Sequence, residues 1–397
     1  MLQLPVYLDY NATTPCDPAV VEAMLPYFSR HFGNAASRSH SFGWEAEEAV
    51  KFAREQVAAL IGAEPGEIVF TSGATEAVNL AIKGVFEAYA SRGRHIVTCV
   101  TEHRAVIDTC RYLEKQGAEV TWLPVHHDGR VTAEEVEAAM RPDTVLVAMM
   151  YANNETGTIM PVKEVGAVTR RHGILFFTDA TQAAGKIPVD VNEDMVDLLA
   201  FSAHKMCGPK GAGALFVRRR NPRVKLLPLI HGGGHEKGMR SGTLNVPGIV
   251  GFGRACALSQ QAMEQEGTRL AALRDRLEDA LLSVGEVAVN AGTAHRLPHV
   301  SNLRFANADG EALLMAVNKN IAVSSGAACT SASLEPSHVL KALGISDELA
   351  HSSVRFSLGR FTQEEEIEYT IGEVTRAVAA LREMSASWTN DHNFKTT

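Results

Sequence analysis

The sequence has few cysteines, and no two of them form a CxxC pair. The six thiols lie far apart, at Cys16, Cys99, Cys110, Cys207, Cys256 and Cys329. Closely spaced cysteines are typical of zinc sites and of the disulfide frameworks of small secreted proteins. The spacing here indicates neither, so we expect reduced thiols in a cytoplasmic protein, of which one could still act as a nucleophile.

The sequence also lacks the features that bring a protein to a membrane or to nucleic acid. No apolar run reaches the roughly 18 residues of a membrane-spanning helix, and residues 1–5 lack the basic and apolar stretches of a signal peptide. The formal net charge of −8 disfavours direct binding to nucleic acid. The length of 397 residues, with 46% hydrophobic and 21% charged residues, is typical of a soluble globular protein with two domains.

Short apolar runs alternate with helical patterns from residue 67 onward. The runs that we predict to be buried strands are 67–70, 95–100, 119–123, 145–150, 174–178 and 198–202. Strands that alternate with helices predict an α/β fold, in which a mainly parallel sheet is covered by helices on both faces. Ligands of such sheets bind beyond the carboxyl ends of the strands, so we expect functional side chains just after the strands.

The pattern changes after about residue 255. The elements predicted there are a long helix at 254–284, strands near 300–304 and 354–357, and an amphipathic helix after a capping box at 362–365. We therefore expect a large domain at 16–255 and a smaller α+β domain at 256–397.

A lysine follows the last of these strands, in the segment 201–211. A lysine at the mouth of a buried strand is poorly solvated, and burial lowers the pKa of a lysine because the charged form loses water. A neutral amine can attack an aldehyde, so Lys205 is a candidate for covalent catalysis. The alternative for this motif alone is a surface lysine in a Gly/Pro turn.

Polar groups follow several other strands. The segment 71–77 opens a helix, and free N–H groups at a helix start bind anions. Asp179 would need a cationic partner if buried, such as a protonated pyridine nitrogen. His103 could cover a planar ring, and 151–157 contains amides. Ordinary helix caps are the alternative for 71–77 and Asp179, and a lone histidine is more often structural.

These groups together with Lys205 amount to an anion site, a buried carboxylate, an aromatic lid, an amide and an amine at one edge of the sheet. That combination predicts a pocket for pyridoxal phosphate, in which the cofactor supplies an electron sink and the protein supplies orientation and charge. Farther along, 232–243 is glycine-rich and basic, and 324–333 is a loop of small polar residues around Cys329. The guanidinium of Arg355 suits an α-carboxylate.

Three motifs together resemble a known family. They are Ser-Ala-His-Lys at 202–205, the segment 232–243, and Ser-Gly-Ala-Ala-Cys-Thr-Ser at 325–331. From residue 7 to about 381 the chain is similar to the cysteine desulfurases of iron–sulfur cluster assembly and nitrogen fixation, within the class V aminotransferase-like, fold-type-I pyridoxal phosphate enzymes. The resemblance implies that 16–255 binds the cofactor, that 256–397 carries the cysteine loop, and that 1–15 associates with the smaller domain.

The resemblance also implies a role for each candidate residue. Lys205 would form the covalent link to the cofactor and move the substrate proton, Asp179 would pair with the pyridine nitrogen, and Gln182 would pair with the ring hydroxyl. His103 would stack on the ring and act as acid or base. The cofactor phosphate would be held by Ala74, Thr75, Ser202 and His204, and by Thr243 from the second subunit of a homodimer.

The expected substrate is L-cysteine, whose carboxylate would be held by Asn34, Asn154 and Arg355, with Asn154 also contacting the cofactor. The product would be L-alanine, with the sulfur left on Cys329 as a persulfide. An iron–sulfur scaffold protein or another acceptor would take that sulfur. No resident metal is expected, although Cys329 could briefly share a nascent cluster with a scaffold.

Three alternatives remain open from the sequence. Two are enzymes of the same fold, a selenocysteine lyase and an aminotransferase. Transamination needs no loop cysteine, so Cys329 argues against it. The third is a cofactor-free sulfur-relay or scaffold protein, against which the intact Lys205 and Asp179 argue. The acceptor of the sulfur is also left open.

Overall fold

The computed structural model describes residues 2–325 and 335–384. Its strands are β1 (Val6–Tyr7), β2 (Ile68–Thr71), β3 (His95–Cys99), β4 (Glu119–Leu123), β5 (Thr144–Ala148), β6 (Leu175–Asp179), β7 (Leu198–Ser202), β8 (Gly213–Val217), β9 (Val287–Val289), β10 (Val300–Phe305), β11 (Ile321–Ala322), β12 (Ser324–Ser325) and β13 (Ser353–Ser357). Its helices are α1 (Pro18–Met24), α2 (Pro26–Ser29), α3 (Ser41–Leu60), α4 (Ala74–Ala88), α5 (Arg104–Glu114), α6 (Ala133–Ala139), α7 (Val162–His172), α8 (Val246–Leu282), α9 (Gly310–Val317), α10 (His338–Ala342), α11 (Asp347–His351) and α12 (Glu364–Met384).

The larger sheet has the strand order β2-β8-β7-β6-β5-β3-β4. Strands β3 to β7 pair in parallel, whereas β8 runs antiparallel to both of its neighbours. Successive side chains of a strand point to opposite faces, so Phe176 packs in one apolar cluster and Phe177 in another. The predicted fold class, an α/β protein with a mainly parallel sheet between helices, is confirmed.

The smaller sheet has the order β12-β13-β10-β9 and is antiparallel throughout. Its apolar cluster contains Leu303, Phe356 and Val374, together with Val6 and Leu8 from the N-terminal segment. Strand β1 pairs in parallel with β11. The first residues of the chain therefore pack with its C-terminal part.

Helix α8 passes from one core to the other. Phe252 and Cys256 belong to a cluster on the larger sheet, whereas Leu277 and Leu281 belong to the cluster of the smaller one. The boundary predicted at 255/256 lies inside this helix, and the division of the chain into domains stays a prediction. Among the residues that the structure describes, no helix is both long and apolar enough to cross a membrane.

Helix α8 begins at Val246, eight residues before the predicted start. Asn245 caps it, because its Oδ1 accepts the N–H of Gly248 at 3.2 Å. Glycines hid this part of the helix, since glycine disfavours helices. A Cβ on Gly253 would lie 2.6 Å from the Cα of Ala53, so close packing against α3 requires glycine there.

Residues 18–29 form two short helices, α1 and α2, and not one continuous helix. Pro26 begins the second helix, and a proline has no N–H with which to continue the first.

Candidate active site

An open cavity of about 690 Å³ lies beyond the carboxyl ends of the parallel strands. The predicted site residues that line it are Ala74, Thr75, His103, Asn154, Asp179, Gln182, Ser202, His204, Lys205 and Arg355. They come from the ends of different strands, from the start of α4 and from β13. The fold therefore brings together groups that are far apart in the sequence.

The start of helix α4 forms one wall of this cavity. The N–H groups of Ala74 and Thr75 belong to its first turn, where a helix leaves its N–H groups without helical partners. Strand β8 lies against this turn, since a Cβ on Gly213 would be only 2.6 Å from the Cα of Gly73. Ser202, which pairs with Gly213 across the sheet, adds its hydroxyl group. This wall suits a phosphate group.

His204 contributes a neutral imidazole to the same region. Burial, together with the charge of Lys205, lowers the pKa of His204 to about 4. Its Nδ1 lies 3.1 Å from the hydroxyl of Thr13. At neutral pH the ring therefore offers a hydrogen bond rather than a positive charge.

The glycine-rich segment 232–243 is attached beside the phosphate wall. The Nε of Arg240 lies 2.8 Å from Oε1 of Glu76, which is in the first turn of α4. Burial opposes ionisation of Glu76, but hydrogen bonds from Arg240 and Ser72 outweigh it and hold its pKa below the ordinary value. Thr243 itself is exposed and lies outside the lining of this chain's cavity.

Asp179 is a buried carboxylate at the end of β6, only 6% exposed. Its Oδ1 accepts the N–H of Thr181 at 3.0 Å. No arginine or lysine in the described ranges lies within ion-pair distance of it, and the buried hydroxyl of Thr181 also lacks a partner there. A buried carboxylate requires compensation, so the site fits a ligand with a cationic nitrogen.

Lys205 lies in the short helical turn Ala203–Lys205 directly after β7. Its Nζ donates to the main-chain carbonyls of Asn11 and Ala12, each at 2.6 Å. The carbonyl of Asn11 also accepts from Nε2 of Gln182 at 3.0 Å. Sequence reasoning missed Asn11, because these contacts are made by its main chain, which residue type does not reveal.

His103 lines the cavity from the start of α5. Its Nδ1 accepts the N–H of Ala105 at 3.1 Å and thereby caps the helix. An Nδ1 that accepts carries no proton, so the neutral ring has its proton on Nε2. His103 therefore caps α5 from the wall of the cavity, and its stacking on a cofactor ring stays a prediction.

Arg355 reaches the cavity from β13. Its Nη2 donates to Oδ1 of Asp9 at 2.7 Å, and its Nη1 donates to the main-chain oxygen of Asn154 at 2.9 Å. The buried Nε has no partner within the described part of the chain. Nη2 also contacts the hydroxyl of Ser324 at 2.9 Å, so the guanidinium is held in place at the edge of the cavity, and a fixed guanidinium suits an anionic ligand.

Three predicted site residues are not among those that line this cavity, and the role of every predicted site residue stays a prediction. Asn34 is exposed, and its Oδ1 accepts the N–H of Ala36 at 2.9 Å. Thr243 is exposed on the same chain. Cys329 lies outside the described residues. Over the ranges that are described, no three potential metal ligands of the His, Cys, Asp or Glu type cluster together.

Comparison with known proteins decides the family. Residues 6–370 match the family model described as aminotransferase class-V. The chain belongs to this family. The family expected from the sequence is therefore confirmed, and enzymes of this family and of the cysteine desulfurase group use pyridoxal phosphate in general.

Individual members of the family are similar over nearly the whole chain. A protein of Anaeromyxobacter sp. (strain Fw109-5) named cysteine desulfurase IscS is 58% identical over 97% of this chain and 95% of its own length. A solved structure titled NifS-like protein has a TM-score of 0.89 and 38% identity, covering 95% of this chain and 100% of that one. Another, titled SspA in complex with cysteine, has a TM-score of 0.78 and 38% identity, covering 89% and 98%.

Proposed function

We propose that the protein is a pyridoxal phosphate-dependent cysteine desulfurase, which converts L-cysteine to L-alanine and places the sulfur on Cys329 as a persulfide. The observation that carries the proposal is the arrangement of Lys205, Asp179 and the start of α4 around one cavity. The name of the Anaeromyxobacter relative and the cysteine in the SspA title support this reaction over the lyase and aminotransferase alternatives.

The lining of the cavity has the groups that pyridoxal phosphate needs. The phosphate would be held by Ala74, Thr75, Ser202 and His204, the pyridine nitrogen by Asp179, the ring oxygen by Gln182, and the ring face by His103, with Asn154 alongside. The cofactor supplies an electron sink for the carbon next to the substrate amine. The buried carboxylate of Asp179 favours a protonated pyridine nitrogen, since an opposite charge favours the charged form.

The substrate carboxylate would lie against Arg355, with Asn34 and Asn154 as further contacts. Lys205 would take the proton from the substrate Cα through its side-chain amine. The carbonyls of Asn11 and Ala12 support this role, because they hold the Lys205 amine at the edge of the cavity.

Sulfur transfer requires a nucleophilic thiolate. The thiolate of Cys329 would attack the substrate sulfur, so that an S–S bond forms, the C–S bond breaks and the carbon takes up a proton. L-cysteine and one thiol thus become L-alanine and one persulfide, with no outside oxidant. An acceptor thiol would then take the outer sulfur by exchange and restore Cys329.

The described cysteines are poor alternatives for this step. Burial raises the pKa of Cys99 and of Cys110 to about 12 and raises the pKa of Cys256 well above its ordinary value. Burial also raises the pKa of Cys16 and of Cys207. A thiol with a raised pKa is mostly protonated at neutral pH and is a weak nucleophile.

The enzyme would work as a cytoplasmic homodimer, with an iron–sulfur scaffold protein or another thiol as acceptor. Phe32, Phe42 and Trp44 support a contact between subunits, because they are 64%, 47% and 55% exposed, and the first two rings are 5.4 Å apart. A second copy could also bring its own Thr243 to the phosphate wall, which would explain why Thr243 lies outside the cavity of its own chain.

The test is the Cys329→Ser variant, assayed for L-alanine and for protein persulfide after addition of L-cysteine. It should bind pyridoxal phosphate as the wild type does but form almost no alanine and no persulfide. Cys16→Ser is the matched control, since Cys16 is the least buried described cysteine, and it should retain wild-type rates. Alanine formation at the wild-type rate by Cys329→Ser would favour a lyase without a cysteine nucleophile.

A further inference from the structure

A second lysine lies beside Gln182. Lys186 follows it by four residues in the turn after β6, and its Nζ lies 2.9 Å from Oε1 of Gln182 and 3.5 Å from Oδ1 of Asn11. The side chain is partly buried. No carboxylate within residues 2–325 and 335–384 lies within ion-pair distance of Lys186. Its nearest partners are therefore two carboxamides.

These contacts determine how the Gln182 carboxamide is oriented. The main-chain oxygen of Asn11 can only accept, so the Gln182 group 3.0 Å from it must be the NH₂ group. The amide oxygen consequently faces Lys186, whose amine donates to it. One N–H of the NH₂ group is then left without a partner among the described residues, and Gln182 lines the cavity.

We propose that Lys186 is a positioning residue for the cofactor site, whose amine holds the Gln182 carboxamide so that its remaining N–H is presented to the ring oxygen of bound pyridoxal phosphate. The inference rests on the proposed function, because it requires that cofactor in the cavity. Without Lys186 the amide oxygen loses its donor, and the carboxamide is no longer held in one orientation.

Two cations, Lys205 and Arg355, act on Lys186. The titratable and charged groups that interact electrostatically with Lys186 are Lys205, His204 and Cys207 after β7, Arg355 on β13 and His299 before β10. Burial and the charge of Lys205 lower the pKa of Lys186 to about 7. An uncharged amine still donates a hydrogen bond, so the positioning role does not depend on the charge.

The test is a pH titration of the absorbance of the bound cofactor in holoenzyme. Removing the donor weakens the hydrogen bond to the ionised ring oxygen, and removing a neighbouring cation favours protonation of the chromophore. Both effects have the same sign, so Lys186→Met should raise the titration midpoint by about one pH unit. Lys163→Met, which removes an exposed lysine, should leave the midpoint unchanged.

A double-mutant cycle with Gln182→Leu identifies the path of the effect. If Lys186 acts through Gln182, adding Lys186→Met to Gln182→Leu should move the midpoint less than half as far as in the wild-type background. Equal shifts in both backgrounds, or no shift in either, would overturn the proposal. Lys186→Gln keeps a donor without the charge and should restore most of the midpoint, whereas a shift as large as that of Lys186→Met would also contradict positioning.

A second measurement, the affinity for pyridoxal phosphate, applies even if the titration midpoint lies outside the pH range in which the protein is stable. The dissociation constant of pyridoxal phosphate should rise about fivefold in Lys186→Met, as expected for the loss of one hydrogen bond. In Lys186→Gln it should stay near the wild-type value. An unchanged constant in Lys186→Met would refute the role. If the wild-type protein and Lys186→Met both take up the cofactor with the same midpoint and the same dissociation constant, this inference alone is contradicted. If the wild-type protein takes up no cofactor, the proposed function is contradicted as well.

Discussion

The carboxyl group of Glu102 is fully buried immediately before His103. Its Oε1 accepts the N–H of Met150 at 2.6 Å, and its Oε2 has no partner in the described part of the chain. Burial raises the pKa of Glu102 well above its ordinary value, and the nearby charge of Asp179 adds to this rise. We therefore predict that Glu102 is protonated in the folded protein at neutral pH.

Glu102→Gln tests this through the pH dependence of stability. Above the unfolded pKa of about 4.3 the unfolded chain loses a proton that the folded protein keeps, so this glutamate destabilises the fold as the pH rises. The variant lacks that penalty, and its stability relative to the wild type should grow by about 1.4 kcal/mol per pH unit up to the folded pKa. For 397 residues this corresponds to about 1.7 °C in Tm per pH unit.

The assay is thermal unfolding of both proteins from pH 5 to pH 8 at one protein concentration. The slope of the Tm difference is the decisive quantity, because any cost of the new amide adds a constant. Glu76→Gln is the control: the pKa of Glu76 is lowered, so its contribution is fully present above the unfolded pKa of about 4.3, and its Tm difference should stay constant from pH 5 to pH 8. A Glu102→Gln difference that stays constant from pH 5 to pH 8 would refute a protonated Glu102.

Three further predictions concern the cofactor and the substrate. Lys205→Ala should still bind pyridoxal phosphate, but borohydride should no longer fix it to the protein, and turnover should be lost. Lys210→Ala should remain fixable, and full turnover by Lys205→Ala would show that the wrong lysine was chosen. The protein should sediment as a dimer. When inactive Lys205→Ala is mixed with Thr243→Ala, each hybrid dimer should regain activity at one site, which takes Lys205 from one subunit and Thr243 from the other. A fully active monomer would contradict the shared site. Arg355→Lys should raise KM for L-cysteine about 10- to 100-fold with a smaller change in kcat, and an unchanged KM would remove Arg355 from the substrate site.

Much of the fold was predictable because its strands are buried on both faces. Such strands appear as short apolar runs, and the carboxyl ends of parallel strands meet at one edge. This is why Asp179, His103 and Lys205 could be assigned to one cavity from their positions alone. The family resemblance then supplied the individual roles of the lining residues.

What the sequence did not reveal depends on main-chain and through-space contacts. The carbonyl of Asn11 holds both Lys205 and Gln182, yet any residue type has a carbonyl. Nothing in the sequence distinguishes Lys186 from a surface lysine, and only the fold brings it, partly buried, beside Gln182. Gly253 disfavours a helix when only the sequence is considered, and its close packing against α3, which requires a glycine, is visible only in the fold.

The most direct test of the central claim is to follow the sulfur. The wild-type enzyme, loaded with pyridoxal phosphate and treated with one equivalent of L-cysteine, should be digested without reductant and its cysteine peptides mapped by mass spectrometry. The proposed function predicts one added sulfur atom on the peptide that contains Cys329, with an equal amount of L-alanine in solution. Alanine without sulfur on that peptide, or sulfur on Cys207 instead, would contradict it.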